Sequence, residues 1–160
     1  MSSESLSDVD AEILARLQRN SRISNASLAK AVGLSPSACL RRVRALEGRG
    51  FVRNYVAMLA PERLGLGASV FVQVSLEKKD EKTLQGFERA IAQCSDVLEC
   101  YLMTGDSDYL LRVVVADVAA FERFLIDCLT KIPGVSTIRS SFSLKQVKYT
   151  TALPLDAVRP

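Results

Sequence analysis

The sequence predicts an α+β chain in which an N-terminal (winged) helix-turn-helix domain of three helices precedes a ferredoxin-like βαββαβ sandwich. Three observations predict it. Apolar residues recur at helical spacing through the first fifty positions and turn to strict alternation near residue 69. A glycine turn and a Ser-Pro start signal stand where a third helix should begin. At 160 residues and 48% hydrophobic, the chain can fill two small cores.

Val9, Ile13, Leu14 and Leu17 fall on one helical face over residues 7–20, with Ser7 as N-cap and Asp8, Asp10 and Glu12 favouring the positive end of the helix dipole. After the polar break 20–22, a short second helix from Ser24 or Asn25 to Val32 buries Leu28, Ala29 and Val32 and stops at Gly33. Ser35 then caps a third helix, with Pro36 at its first position, where a missing N–H costs nothing. Two short helices, a glycine-containing turn and a third helix make the helix-turn-helix pattern.

Residues 51–59 (FVRNYVAML) have strand composition, and 61–67 read as a turn-rich linker. Beyond it, Val70, Val72, Val74 and Leu76 alternate with Ser69, Phe71, Gln73 and Ser75, a strand with one well-buried face. A helix over 81–94 buries Leu84, Phe87 and Ile91. Strands at 97–104 and 109–116 flank the turn Gly105-Asp106-Ser107-Asp108 and form a hairpin. A helix over 118–130 turns Phe121, Phe124, Leu125 and Cys128 inward, and a last strand, 135–144, follows Pro133-Gly134. The expected division is a helix-turn-helix domain (1–53), a linker strand and turn (54–67), a sandwich domain (68–148) and a C-terminal tail (149–160).

Composition excludes several function classes. There is no histidine, so Ser-His and Cys-His nucleophilic catalysis is ruled out. The four cysteines (Cys39, Cys94, Cys100, Cys128) have no C-x-x-C spacing, so a zinc site is not expected and no cofactor is implied; they are expected as reduced, mostly buried thiols. No apolar run approaches the roughly 20 residues of a membrane span, and the opening MSSESLSDVD lacks the order of a secretory signal, so a cytoplasmic address is expected.

The charge is uneven. Residues 1–60 hold nine Lys/Arg against five Asp/Glu, whereas 61–160 hold twelve against thirteen. The surplus sits within 33–53, where Arg41, Arg42, Arg44, Arg49 and Arg53 face only Glu47, and a patch of that sign suggests a polyanion. With Arg41 set at 0° and about 100° per residue, Cys39, Val43 and Leu46 fall between about 140° and 200°, with Leu40 near 260°. That arc is the core face. Opposite lie Ser37, Ala38, Arg41 and Ala45, flanked by Arg42 and Arg44. The expected partner is double-stranded DNA, with Ser35, Ser37, Ala38, Arg41, Arg42 and Arg44 at the contact: Arg41 suits a guanine edge, and Arg42 and Arg44 suit phosphates. A solvated basic face on an ordinary helix is the bland alternative.

The runs LSPSACLRRVRALEGRGFVRNY, VLECYLMTGDSDYLLRV and IPGVSTIRSSF resemble the Lrp/AsnC (leucine-responsive, or feast/famine) regulators over nearly the whole chain. The resemblance implies a transcription regulator of amino-acid metabolism genes, with a C-terminal ligand-sensing RAM domain, and not an enzyme. It implies dimers built through RAM sheets and linker strands that assemble to tetramers or octamers. The apolar residues on both strand faces, Phe71 and Tyr101 among them, independently suggest a second subunit over the uncovered sheet face.

Amides near Gly105 could hold a carboxylate while an aspartate receives an ammonium, although Gly, Asp and Ser also suit a turn for backbone reasons alone. Under the resemblance, an amino-acid effector is expected at Leu102, Met103, Thr104, Gly105, Asp106, Ser107, Asp108, Ser141 and Ser143, with Leu102 and Asp108 matching positions tied to leucine response. Val118 stands where leucine responders carry methionine, and Ser141-Phe142-Ser143 where they carry Tyr-Val-Val, which argues for another amino acid. Two alternatives remain at this point. One is a nucleoid-like DNA organiser of low specificity. The remoter one is a sirohaem-decarboxylase-like enzyme, against which the missing histidine counts.

Overall fold

The computed structural model describes residues 6–155, so the outermost parts of the predicted first domain (1–5) and tail (156–160) lie outside the described residues. The chain divides into two compact units: one holds the residues up to Met58 together with those from Lys148 on, the other is Leu59–Val147.

The first unit has three helices, α1 (Asp8–Arg19), α2 (Asn25–Ala31) and α3 (Pro36–Gly48). Each begins on a serine whose hydroxyl accepts an otherwise orphaned amide: Ser7 from Asp10, Ser24 from Ser27 and Ser35 from Ala38. Gly33, at φ 69°, makes the left-handed turn between α2 and α3 that a side chain would strain. Asn25 then donates from Nδ2 to the Pro36 carbonyl at 2.8 Å, fixing how α3 enters. Ala11, Ile13, Leu14 and Leu17 of α1, Leu28 and Ala29 of α2, and Cys39 and Leu46 of α3 form the buried core. Cys39 and Leu46 stand where the helical angles put them.

The expected strand over 51–59 is not a strand within this chain. Residues 52–60 carry no sheet pairing, and no wing hairpin follows α3 among the described residues. A strand is defined by its partner, which composition cannot supply. Tyr55, Val56, Met58 and Leu59 are accordingly exposed.

In the second unit, a single 3-10 turn (Pro61–Leu64) leads into β1 (Ala68–Leu76), α4 (Glu81–Ile91), β2 (Val97–Leu102), β3 (Tyr109–Val115), α5 (Val118–Asp127) and β4 (Val135–Phe142). A second 3-10 turn, Leu129–Lys131, extends α5, so the helix predicted to run to residue 130 ends earlier. The sheet is antiparallel in the order β2-β3-β1-β4, the ferredoxin-like arrangement. Val70, Val72, Val74 and Leu76 pack with Leu111, Val113, Phe87, Ile91, Phe121 and Phe124 into one core. Tyr109 joins it with its ring 4.5 Å from that of Phe87, and its hydroxyl donates to Glu88 at 2.9 Å. Burial of the phenol and the Glu88 carboxylate push its pKa far up.

Contrary to the expectation of four reduced, mostly buried thiols, Cys94 and Cys128 form a disulfide, Cys39 is free and buried, and Cys100 is free and exposed. Cys94 follows α4 and Cys128 caps α5. Packing brings these helix ends together across 34 residues of sequence, a separation that no local spacing reveals.

Candidate nucleic-acid interface and effector recess

The N-terminus of α3 is open. Ser35 and Ser37 are exposed, their hydroxyl oxygens 3.3 Å apart; with Pro36 lacking an N–H and the Ala38 and Cys39 amides donating to Ser35, the Ser37 amide and the two hydroxyls are what the first turn offers a phosphate. Arg41 and Arg44 are exposed, Ala38 is half-buried, and among the described residues neither arginine has a carboxylate partner. Their charge is therefore available to a polyanion. Leu40 is also 39% exposed, an apolar group beside the arginines that its angle near the core face did not suggest.

Arg42 differs. Its Nη1 lies 2.9 Å from Oδ1 of Asp10 on α1, and the Asp10 side chain is only 13% exposed. The guanidinium thus ties α3 to α1, and only its remaining donors face outward. Arg49 sits with its guanidinium carbon 4.8 Å over the Phe51 ring, at the C-terminal end of α3.

In the second unit, Gly105 at φ 122° permits the turn between β2 and β3. Asp108 behind it is buried and fully engaged. Oδ2 accepts the Leu76 amide at 2.9 Å, and Oδ1 pairs with Lys79 Nζ at 2.7 Å. Its own amide donates to Val74 and its carbonyl accepts from Met103. The Leu76 amide first, then Lys79, hold its carboxyl below the usual range. Asp108 therefore pins the hairpin to the end of β1, while the exposed carboxylate of the turn is Asp106.

Asp106 and Ser107 border a recess of about 190 Å³ with Gln73 and Ser75 of β1 and Thr137 and Arg139 of β4. The register explains the meeting. Gln73 is opposite Arg139 and Ser75 opposite Thr137, all on the sheet face away from α4 and α5. The recess holds a guanidinium, a carboxylate and hydroxyls together, a donor and acceptor set that matches a small zwitterion. Arg139 has no ion-pair partner among the described residues.

The predicted effector residues divide accordingly. Asp106 and Ser107 line the recess; Gly105 shapes the turn that carries them, and Thr104 leads into it exposed. Leu102 is opposite Tyr109, hence on the helix-bearing side of the sheet, and both it and Met103 are exposed. Ser141 shares the outer face but stands opposite Phe71, one step along β4 from Arg139. Ser143 lies past the strand end, its amide donating to the Ser69 carbonyl at 2.8 Å. Gln73, Ser75, Thr137 and Arg139 were not anticipated; strand alternation places them on one face, but only the register makes them neighbours. Among the described residues no group of His, Cys, Asp and Glu is gathered for a metal ion, and no helix is long and apolar enough to cross a membrane.

Two family models match: the AsnC-type helix-turn-helix domain over residues 6–47 and the Lrp/AsnC ligand binding domain over 69–153. The chain is 48% identical over 150 residues to the Bkd operon transcriptional regulator of Pseudomonas aeruginosa, covering 94% of this chain and 98% of that one. It is 39% identical over 148 residues to the leucine-responsive regulatory protein of Escherichia coli, covering 92% and 90%. Among solved structures, a transcriptional regulator of Neisseria meningitidis in complex with L-Met superposes with a TM-score of 0.91 at 42% identity, covering 96% of this chain and 99% of that one.

Proposed function

Because the chain belongs to the Lrp/AsnC family of transcriptional regulators, we propose that it reads specific DNA sites through α3 and adjusts that binding to an amino acid held beside the turn at 105–108. The observation that carries this reading is the exposed α3 surface. An open, serine-capped N-terminus and two uncompensated arginines stand on the second helix of a helix-turn-helix, the element that enters a major groove. In this reading Arg41 contacts base edges, Arg44 and the free donors of Arg42 contact phosphates, and Ser35, Ser37 and Ala38 allow close approach.

The effector is an amino acid, its carboxylate on Arg139 and its ammonium on Asp106, with Ser107 and Thr137 as further partners. The recess volume, about six waters' share, is of the right order for one such molecule. The Neisseria relative, crystallised with L-Met, supports that chemical class. Exposed Phe71 and Tyr101 on the outer sheet face, and the exposed apolar residues of 55–59, support self-association into dimers and larger assemblies. The protein acts in the cytoplasm on amino-acid metabolism genes and has no catalytic role.

Enriching preferred sites from random double-stranded DNA, with and without each amino acid, tests the proposal. A defined site whose affinity changes with one amino acid or a few is expected. Enrichment of no sequence overturns specificity, and an amino-acid response preserved in both Arg139→Gln and Asp106→Asn overturns the recess.

A further inference from the structure

The second unit interrupts the first in chain order: the chain leaves the helical unit after Met58 and re-enters it at Lys148. The returning segment is caught by one side chain. Gln18 of α1 donates from Nε2 to the Leu153 carbonyl at 2.9 Å, and the Leu153 amide donates to Gln18 Oε1 at 2.9 Å. One carboxamide thus satisfies both main-chain groups of a single residue, fixing its position and direction as a neighbouring strand would. Two residues on, Leu155 packs against the three-helix core. The outgoing segment meets the same flank of α1, where Phe51, Tyr55 and Met58 line a groove with Leu17, Gln18 and Leu153. Both covalent connections to the effector unit therefore end beside the C-terminal half of α1.

From there the path to the reading helix is short. Asp10 of α1 pairs with Arg42 of α3, and the Tyr55 hydroxyl donates to Glu47 near the end of α3 at 2.8 Å.

We propose that residues 151–155 are a strap through which the effector state is passed to the reading helix, with Gln18 as the positioning residue that receives it. This rests on the reading that an amino acid modulates DNA binding. The strap would carry a displacement of β4 along residues 143–150, which are exposed and without regular structure, to Leu153, and Gln18 would deliver it to α1 and so to α3.

The test uses the full chain with L-methionine as probe, replaced by whichever of the twenty amino acids alters parent DNA binding if methionine does not. Gln18→Leu removes both hydrogen bonds and keeps a good helix former. Leu153→Pro removes the donated amide at a residue exposed to 70%, leaving the core untouched if the first variant folds poorly. Expected for each is ligand-free DNA affinity within about twofold of the parent and amino-acid affinity by calorimetry unchanged. The amino-acid effect on DNA affinity should shrink by about fivefold or more, the scale of an ordinary coupling. A responsive parent with equally responsive variants overturns the strap alone. A parent unresponsive to all twenty overturns the effector reading and the strap together.

Discussion

Arg41 and Arg42 are neighbours in sequence with the same charge, yet they stand in different surroundings. Arg41 is exposed and has no carboxylate partner among the described residues, so Arg41→Ala should lower affinity for the preferred site by about 1–3 kcal/mol and relax the base preference at one position, measured against a panel of site variants. Arg44→Ala should weaken all sequences alike and reduce the slope of log K against log salt by about one. Arg42→Ala adds a folding cost, below about 1 kcal/mol because the arginine is partly exposed. The helical angles identified Arg41 as central. They were blind to Asp10, 32 residues upstream, because an ion pair between helices depends on how those helices pack.

Asp108 and Asp106 divide in the same way. Asp108→Ala leaves the Leu76 amide without its acceptor, at a cost of about 1–3 kcal/mol in unfolding free energy by urea titration. Its folded pKa is lowered, so its contribution is complete above the unfolded value of about 3.9 and disappears as pH falls through the lower folded value. The parent should therefore lose stability more steeply below about pH 4 than the Asp108→Asn variant. Turn chemistry in the sequence singled out both aspartates, but their partners come from strands elsewhere in the chain.

Helices were the best-specified elements because their signals are local. Three serines, one proline and Gly33 mark the starts and stops of α1 to α3 within a few residues of where they act. Ser35→Ala should accordingly destabilise the first unit by about 1 kcal/mol, read as a lower melting temperature. Strands were recognised by alternation, which assigns faces but no partners. The recess between Asp106 and Arg139 depends on Gln73 meeting Arg139, a register held by the whole β1–β4 ladder. The segment after α3 has strand composition without a pairing partner among the described residues. The disulfide is not legible in the sequence for a related reason, since it joins two helix ends that only the folded layer brings together. Its reduction should lower unfolding free energy by about 2–4 kcal/mol, measured with and without dithiothreitol.

The proposed assembly rests on what the single chain leaves uncovered. One layer of helices protects one face of the sheet, and Phe71 and Tyr101 remain exposed on the other. Replacing Phe71 by glutamate should shift the protein toward monomer in sedimentation analysis and weaken binding to paired half-sites more than to a single half-site. In the proposed reading, control by an effector would have two routes to the reading helices, through the arrangement of subunits and through the strap that returns to α1.

The most direct test is selection from random double-stranded DNA with the parent and Arg41→Ala side by side, each with and without amino acid. The parent should enrich a defined site bound about 10³-fold or more above random DNA, with an affinity that changes with amino acid. Arg41→Ala should lose preference at one base position. Comparable binding to all sequences by the parent, or an identical site preference in Arg41→Ala, would contradict reading through α3.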